Sequence, residues 1–296
     1  MFIITYKMPK ELVDEQIELL QINDIFNVYY ESPLDITTDM FGYGYKEKEN
    51  VIVDLKVAFD GNLEDFEKFK SQVSSLLKES PASIDEVKNE FEEFYIDPIH
   101  LNDQWVLCAP TDNFENKSAP TDNFENKKEI FFTPQGAFGT GLHETTQDIL
   151  KFIVEEDFEG KSLLDLGTGS GILSIAAGVK GASKIIAVDI RDVEDEVLLN
   201  ASLNELENIE VVVGNVLHED YKLDEKFDWI FINIGGEETA MFMDFIEEHI
   251  EKTGKLLVSG LVEWSFDWVK EKVENKGFKL NKKFQTNEWC TAIFSK

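Results

Sequence analysis

Apolar side chains in the first hundred residues follow two different spacings. Short runs of apolar and β-branched residues predict strands, whereas apolar residues three and four positions apart predict helices. Within residues 63–77, for example, Phe66, Phe69 and Val73 fall on one helical face. The predicted order is strand, helix, strand, strand, helix, strand, at residues 2–6, 10–20, 26–30, 51–57, 63–77 and 91–96, with a loop rich in Gly, Asp and Thr before 51. This is the split βαβ pattern of a ferredoxin-like α+β domain, predicted over residues 1–97.

From residue 131 onward, short apolar runs alternate regularly with helical periods. Strands are predicted at 162–166, 184–189, 209–213, 229–233 and 255–259, and helices at 145–155, 171–180, 193–205, 238–252 and 264–276. This alternation predicts an α/β domain whose doubly wound, mostly parallel sheet is covered on both faces. Two further strands, 278–284 and 289–294, predict a closing β-hairpin. We assign this Rossmann-like domain to residues 131–296.

A polar stretch, residues 98–130, is predicted to link the two domains. Within it the nine residues 109–117 recur as 119–127. Two copies at a ten-residue period are too few and too polar for a solenoid. Their Pro, Asp, Asn and Lys content predicts an exposed loop. A local duplication without function accounts for this pattern, so we expect one copy, residues 119–128, to be dispensable.

Length and composition limit the class of protein. With 296 residues, 43% of them hydrophobic, the chain can form two domains with sizeable cores. It has no uncharged apolar run long enough to span a membrane, and its first residues lack the features of a signal peptide. Cys108 and Cys290 lie far apart, and the four histidines form no ligand pattern. We therefore expect a cytoplasmic protein with no membrane partner and no metal site.

The formal net charge of −31 narrows the choice of partner. Such a field repels nucleic acid phosphates and attracts cations, which argues against direct nucleic acid binding. Two interpretations stay open: the acidic surface serves solubility alone, or the partner is a basic protein or peptide.

A glycine-rich turn follows the first predicted strand of the second domain. Residues 165–171 are Asp-Leu-Gly-Thr-Gly-Ser-Gly and precede a predicted helix. Glycines let the backbone turn tightly and approach a ligand, and amides at a helix start favour a polar or anionic group. Because dinucleotide folds place their third glycine one position later, the spacing favours S-adenosylmethionine over NAD. Gly167 and Gly169 are the predicted cofactor contacts here.

Polar side chains stand at the ends of the next three predicted strands. Asp189 can accept hydrogen bonds from both ribose hydroxyls of an adenosine, and the alternative for it is a helix N-cap. Asn215 is either a contact for the adenine amine or an ordinary turn residue. Asn233 lies over the crevice where the sheet order reverses. Unless its role is structural, its amide can orient an attacking amine and contact the methionine part of the cofactor.

The segment before the glycine turn carries the most specific pattern. Residues 136–146 are Gly-Ala-Phe-Gly-Thr-Gly-Leu-His-Glu-Thr-Thr. Glycines, a phenylalanine and paired threonines before a helix predict a loop that covers a ligand, with Thr145 as the helix N-cap. His143 on its own is a weak candidate for catalysis.

Residues 131–296 resemble the ribosomal protein L11 methyltransferase family of class I S-adenosylmethionine-dependent methyltransferases. The resemblance rests on residues 137–146, residues 165–173, Asp189-Ile190, Asn233-Ile234 and the terminal Glu288-Trp289-Cys290. The cofactor contacts that it implies are Thr146, Gly167, Asp189 and Asn233. It also implies that the ferredoxin-like domain recognises the substrate.

The activity implied by this resemblance is methyl transfer from S-adenosylmethionine to lysine or N-terminal amines of a basic ribosomal protein, the stalk-base protein of the large subunit. Two alternatives stay open: a methyltransferase for another protein lysine or a small molecule, and a non-catalytic cofactor-binding scaffold. Asn233 is the candidate for orienting the amine, and no residue is predicted to be the general base. The departures from the family pattern are the tandem repeat, Gly235-Gly236 after Asn233-Ile234, and the acidic run after Asp189-Ile190.

Overall fold

The computed structural model describes residues 1–86, 97–110, 127–218 and 223–296. The chain divides into two compact units, each with its own hydrophobic core. One unit comprises Met1–Asp39 and Tyr43–Glu93, and the other comprises Met40–Gly42 and Phe94–Lys296. The domain boundaries at residues 97 and 130 stay a prediction.

The first unit is built on a four-stranded antiparallel sheet. Its elements, in chain order, are β1 (Phe2–Pro9), α1 (Lys10–Ile22), β2 (Val28–Tyr29), β3 (Leu34–Thr38), β4 (Tyr43–Glu47), β5 (Ile52–Phe59), α2 (Leu63–Leu77) and β6 (Ser83–Glu86). The sheet order is β2-β5-β1-β6, which is the ferredoxin-like arrangement that was predicted. Alternate residues of β1 and β5, such as Tyr6 and Leu55, are fully buried and form one core with Val13 and Phe66 of the helices.

Two details of the first unit differ from the sequence-based expectation. Strands β3 and β4 form an antiparallel hairpin where a loop was predicted. Its apolar residues, including the paired Ile36 and Tyr45, are mostly exposed, and the Gly, Asp and Thr around them hid the period of two. The predicted strand at 91–96 lies outside the described residues, and the described strand that pairs with β1 on this side is β6.

The second unit contains a seven-stranded sheet with helices on both faces. Its elements are β7 (Ile99–His100), β8 (Trp105–Cys108), β9 (Lys128–Phe131), α3 (Glu144–Glu155), β10 (Ser162–Leu166), α4 (Ile172–Val179), β11 (Lys184–Asp189), α5 (Glu194–Leu203), β12 (Ile209–Val213), β13 (Phe227–Ile232), α6 (Gly236–His249), β14 (Ile250–Val262), α7 (Glu263–Asn275), β15 (Lys279–Thr286) and β16 (Trp289–Ser295). The sheet order is β12-β11-β10-β13-β14-β16-β15. The first five strands are parallel, and β15 and β16 form the closing antiparallel hairpin. The predicted doubly wound, mostly parallel sheet is confirmed.

Consecutive residues of the buried strands supply two different cores. Leu163 packs in a cluster with Ile149 of α3, whereas Leu164 packs in a second cluster with Val269 of α7. Side chains alternate between the faces of a strand, so a strand covered on both faces must be apolar at every position. This is why the parallel strands were predicted from unbroken apolar runs.

The chain order of the sheet reverses beside β10. From β10 the chain proceeds to β11 and β12 on one side and then returns to β13 on the other. In register, Leu166 of β10 lies beside Val188 of β11 and Ile232 of β13. The residues that follow these three strands therefore meet at one edge, which is where open α/β sheets bind ligands.

A smaller sheet occupies part of the predicted linker. Its order is β7-β8-β9, and β8 and β9 are parallel neighbours. Every residue of β8 is buried. A strand of four residues is too short to show a clear period in the sequence, which is why it was missed. The tandem repeat connects β8 to β9, and residues 111–126 of it lie outside the described part of the chain.

Among the described residues, no helix combines the length and the apolar character that crossing a bilayer requires.

The tandem repeat gives a test of how the connection tolerates a change of length. Deleting residues 111–120 removes one ten-residue period but keeps Lys127, whose Nζ donates to His100 Nδ1 at 2.9 Å and to the carbonyl oxygen of Asn102 at 3.0 Å. Loop-closure entropy changes slowly with length, so we expect the melting temperature to move by less than about 2 °C.

A matched deletion serves as the control. Removing 119–128 instead puts Ser118 in the place of Lys128, whose Nζ lies 5.2 Å from the ring centroid of Trp105. In calorimetric scans, this second variant should have a lower melting temperature than the first. A large loss of stability from the 111–120 deletion would mean that the duplicated copy contributes packing.

Candidate functional site

The glycine-rich turn joins β10 to α4 at the edge where the sheet order reverses. Gly167 and Gly169 have φ values of +72° and +55°, a region that favours glycine. A Cβ on Gly169 would lie 2.3 Å from the carbonyl oxygen of Phe138, and one on Gly167 would lie 2.4 Å from Cγ2 of Ile234. Both positions therefore exclude a side chain, and these residues can offer a ligand only their backbone groups.

Asp189 stands at the end of β11, directly beside this turn. Its side chain is almost fully buried and accepts hydrogen bonds from the backbone N–H groups of Gly169 at 2.9 Å and Arg191 at 3.0 Å. A carboxylate has about four acceptor positions, so about two are left for a ligand. The N-cap of α5 is Val193, so the capping alternative for Asp189 does not apply to that helix. The ribose contact stays a prediction.

Asn233 follows β13 on the other side of β10. Its Oδ1 atom is buried and has no hydrogen-bond partner within the described residues. An unsatisfied buried acceptor costs about 1–3 kcal/mol, so such groups in native structures need an explanation. The oxygen is suited to accept an N–H from a molecule bound at this edge.

Asn215 follows β12 but is placed differently from Asn233. Its side chain is exposed, and its Oδ1 accepts from the backbone N–H of Leu217 at 3.0 Å. Its carbonyl oxygen accepts from His218 N at 3.1 Å. These bonds are those of a turn asparagine, the second of the two interpretations above, and the adenine contact stays a prediction.

The N-cap of α3 differs from the residue that the sequence predicted. The helix begins at Glu144, and its N-cap is His143, whose Nδ1 accepts from the backbone N–H of Thr145 at 3.3 Å. The prediction of Thr145 as N-cap was wrong by two residues, because an imidazole nitrogen replaced the usual hydroxyl. Thr146 is buried in the first turn of α3, and its contact with a cofactor stays a prediction.

Residues 136–142, which we call the covering loop, lie against the glycine turn. The carbonyl oxygen of Phe138 accepts from Ser170 N at 2.9 Å, and Ser170 Oγ donates to the carbonyl oxygen of Gly139 at 2.6 Å. The glycines of the loop and those of the turn thus allow two backbones to approach each other. These contacts place the loop against the turn, and the expectation that it covers a ligand stays a prediction.

A second acidic side chain, that of Asp165, bonds the glycine turn to the first turn of α4. Asp165 is fully buried, and its Oδ2 accepts from Thr168 Oγ1 and from Ser174 Oγ, each at 2.7 Å. Burial raises the pKa of Asp165, although these two hydrogen bonds oppose the rise. Sequence reasoning gave Ser174 no role; a serine one turn into a helix after an Asp-containing strand is the only signal that points to it.

The closing hairpin packs on the start of α3. Thr286 Oγ1 donates to Asp148 Oδ2 at 2.8 Å, and the rings of His143 and Trp289 lie edge to face with centroids 4.8 Å apart. This contact brings the terminal Trp289 motif beside the covering loop. The sequence alone did not predict this proximity, because more than 140 residues separate the two segments.

The two thiols are poorly suited to nucleophilic chemistry. Both are buried, and burial raises the pKa of Cys108 to about 12 and also raises that of Cys290. Thiolates are therefore scarce at neutral pH. In the described ranges, no group of three or more His, Cys, Asp or Glu side chains could hold a metal ion.

Comparison with known proteins finds one family repeatedly. Residues 92–296 match the family model described as ribosomal protein L11 methyltransferase (PrmA). A ribosomal protein L11 methyltransferase from Phocaeicola vulgatus is 32% identical over 208 residues, 69% of this chain and 70% of that protein. One from Lactobacillus johnsonii is 33% identical over 168 residues, 56% of this chain and 52% of that protein. Several such matches span about half the length of the relative.

A solved structure agrees with these matches. The crystal structure of ribosomal protein L11 methylase from Lactobacillus delbrueckii subsp. bulgaricus is 27% identical, with a TM-score of 0.58. The similarity covers 68% of this chain and 99% of that chain.

Asp189 gives the first test of the site. If its carboxylate accepts ribose hydroxyls, Asp189→Ala should weaken S-adenosylmethionine binding at least about tenfold, since a hydrogen bond to a charged group contributes about 1.5–3 kcal/mol. Asp189→Asn keeps one acceptor oxygen, so its affinity for S-adenosylmethionine should lie between those of the unchanged chain and of Asp189→Ala. Titration calorimetry measures the affinities, and Glu194→Ala, an exposed acid on α5, is the control. Unchanged affinity in Asp189→Ala would refute the ribose contact.

Gly169 gives a second test with an internal control. Gly169 and Gly160 both have left-handed φ values, +55° and +69°, but a Cβ on Gly160 would meet nothing within 4 Å. Alanine at either position should cost about 1–2 kcal/mol of backbone strain, seen as a lower melting temperature. Only Gly169→Ala should also displace Phe138 and weaken cofactor binding. Equal affinities for the two variants would show that the close backbone contact is irrelevant to binding.

Proposed function

The chain belongs to the ribosomal protein L11 methyltransferase family, and on that premise we propose that it transfers methyl groups from S-adenosylmethionine to amines of ribosomal protein L11. The accepting groups would be lysine side chains, the N-terminal amine, or both. One observation carries the proposal: a buried acceptor, Asn233 Oδ1, stands without a partner from the described residues at the strand edge next to the glycine turn. An oxygen there calls for an N–H donor from a bound molecule.

The residues at this edge fit S-adenosylmethionine. The turn at Gly167 and Gly169 offers backbone groups, and Asp189 retains acceptor positions suited to ribose hydroxyls. Asn233 lies opposite, across β10, at the expected methionine end. When bound, the cofactor supplies a methyl group on a sulfonium, which is already activated for transfer.

Positioning of the amine is then the main task of the protein. Asn233 Oδ1 can accept a hydrogen bond from the amine N–H, which would direct the nitrogen lone pair toward the methyl carbon. A lysine ammonium must lose its proton before it can attack. Burial in the crevice and a neighbouring positive charge both lower the pKa of such an amine, and water can take the proton. We name no general base.

A basic protein substrate suits the charge of the chain. Two acidic residues of α2 that could attract a basic substrate are partly neutralised by neighbouring lysines. Asp65 Oδ1 lies 3.5 Å from Lys68 Nζ, and Glu67 Oε2 lies 2.5 Å from Lys70 Nζ. Support therefore comes from the summed field of −31, which steers cationic partners and disfavours nucleic acid. As part of the same proposal, the ferredoxin-like unit recognises the substrate and the reaction takes place in the cytoplasm.

The decisive experiment uses labelled S-adenosylmethionine with purified ribosomal protein L11 and, separately, with a total ribosomal protein extract. We expect label on ribosomal protein L11 and none on ribosomal RNA. Asn233→Ala should lower kcat/KM at least about tenfold, since it removes the bond that orients the amine. Asn275→Ala, an exposed asparagine at the end of α7, is the control and should behave like the unchanged chain.

The other outcomes separate the alternatives. Label on a different protein or on a small molecule would keep the methyltransferase and reject ribosomal protein L11 as the substrate. Cofactor binding without any methyl transfer would favour a scaffold and reject the enzyme.

A further inference from the structure

The segment of residues 131–137, which begins at the last residue of β9, is bonded to α5 by side chains of the helix and its C-cap. Every second residue of the segment is bonded to every fourth position along the helix and its C-cap. The bonds are Phe131 N to Asn204 Oδ1 (2.9 Å), Asn204 Nδ2 to Phe131 O (2.6 Å), Thr133 N to Asn200 Oδ1 (2.8 Å), Asn200 Nδ2 to Thr133 O (3.2 Å), Gln135 N to Glu196 Oε1 (2.9 Å) and Ala137 N to Glu196 Oε2 (2.8 Å). We call Glu196, Asn200 and Asn204 the side-chain ladder. Each of the three side chains, with its bonds to the segment, is one rung, and Glu196 is the last rung.

The ladder works because two different periods nearly coincide. Two residues of extended chain advance about 6.6 Å, and four residues of α-helix advance about 6.0 Å. The mismatch of about 0.6 Å for each rung is small enough for three successive rungs to bond. The polar groups that the segment turns toward α5 are thus satisfied by side chains of the helix, whereas Phe132 N donates to the carbonyl oxygen of Cys108 in β8.

The last rung differs chemically from the first two. Asn200 and Asn204 each accept from an N–H and donate to a carbonyl of the same residue, which an amide can do. Glu196 accepts from two N–H groups, those of Gln135 and Ala137, which needs two acceptor oxygens. A carboxylate meets this need, and its charge is further favoured in the first turn of a helix. Glu196 is 8% exposed, so these bonds compensate for its burial.

The last rung stands at the entrance to the covering loop. Glu196 fixes the N–H groups on both sides of Gly136, and the next residue, Phe138, accepts from Ser170 N in the glycine turn. Ala137, which is bonded to α5, and Phe138, which is bonded to the glycine turn, are therefore consecutive residues. A movement at Glu196 must be transmitted to the contact between Phe138 and Ser170.

We propose that Glu196 is a positioning residue for cofactor binding, which sets the place of the covering loop over the glycine turn without touching the cofactor itself. The proposal rests on the proposed function in one respect: the glycine turn must be where S-adenosylmethionine binds. The other two rungs anchor the segment upstream. They contribute to folding stability and leave the loop in place.

Open space beside Glu196 should allow variants at this position to fold. A cavity of about 520 Å³ opens between Gln135–Ala137 and Arg191–Leu199. Water in that cavity can bond to the two N–H groups once the carboxylate is removed. We therefore expect Glu196→Ala to keep its fold, and Glu196→Gln, of nearly the same volume, to keep one of the two bonds.

The test compares the two ends of the ladder. Glu196→Ala and Asn204→Ala each remove two hydrogen bonds to the same segment, but only the first lies next to the covering loop. We measure the S-adenosylmethionine Kd by calorimetry, the melting temperature, and hydrogen exchange of the Ser170 amide. We expect Glu196→Ala to raise Kd about tenfold and to speed Ser170 exchange. Glu196→Gln should show a smaller effect, and Asn204→Ala should lower the melting temperature with less than about a twofold change in Kd.

A purely structural role would give a different result. Equal changes in Kd and in Ser170 exchange for Glu196→Ala and Asn204→Ala would overturn the proposal, as would a folded Glu196→Ala with both quantities unchanged. If Glu196→Ala does not fold, the same comparison is made with Glu196→Gln. If the unchanged chain fails to bind S-adenosylmethionine, the proposed function is rejected, and Ser170 exchange still decides whether Glu196 positions the loop.

Discussion

The close contact between two backbones at Gly169 is the constraint on which the site depends. Because Gly169 has no side chain, the carbonyl oxygen of Phe138 can reach the glycine turn and accept the N–H of Ser170. The N–H of Gly169 itself donates to Asp189 at the end of β11. One residue thus joins three segments that are remote in sequence: the covering loop, the turn after β10 and the end of β11. The parallel register of the sheet brings only the last two of these segments near each other.

Buried carboxylates around this point are satisfied mainly by neutral donors. Asp165 is bonded by hydroxyl groups, whereas Asp189 and Glu196 are bonded by backbone N–H groups. Arg191 is the cationic residue that lies within 4 Å of Asp189 in the described part of the chain, with its Nε 3.8 Å from Oδ1. A chain with so few cationic residues can in this way place acids inside without needing a lysine or arginine for each. Fixed backbone donors also hold their acceptors in one orientation, which suits a site that works by positioning.

The sequence predicted the sheet well and the individual side chains less well. Unbroken apolar runs and helical periods are strong signals, so the strand and helix order of the seven-stranded sheet was predictable, whereas β3, β4 and the small sheet β7-β8-β9 were missed. Asn233 and Asn215 carried the same signal, an asparagine after a strand, and only burial and turn bonding distinguish them. His143 as an N-cap, the exposed hairpin at 34–47 and the side-chain ladder depend on geometry that no local period expresses. The ladder in particular joins residues 59 to 73 positions apart.

The burial of both thiols has a practical consequence for observing the protein at work. Cys108 and Cys290 are the two cysteines of the chain, and both are shielded and protonated at neutral pH. A cysteine introduced at an exposed position would therefore react with a maleimide far faster than either. Phe138, at the tip of the covering loop, is 69% exposed. A fluorophore attached there would report whether the surroundings of the loop change when a ligand is added, without first removing the native cysteines.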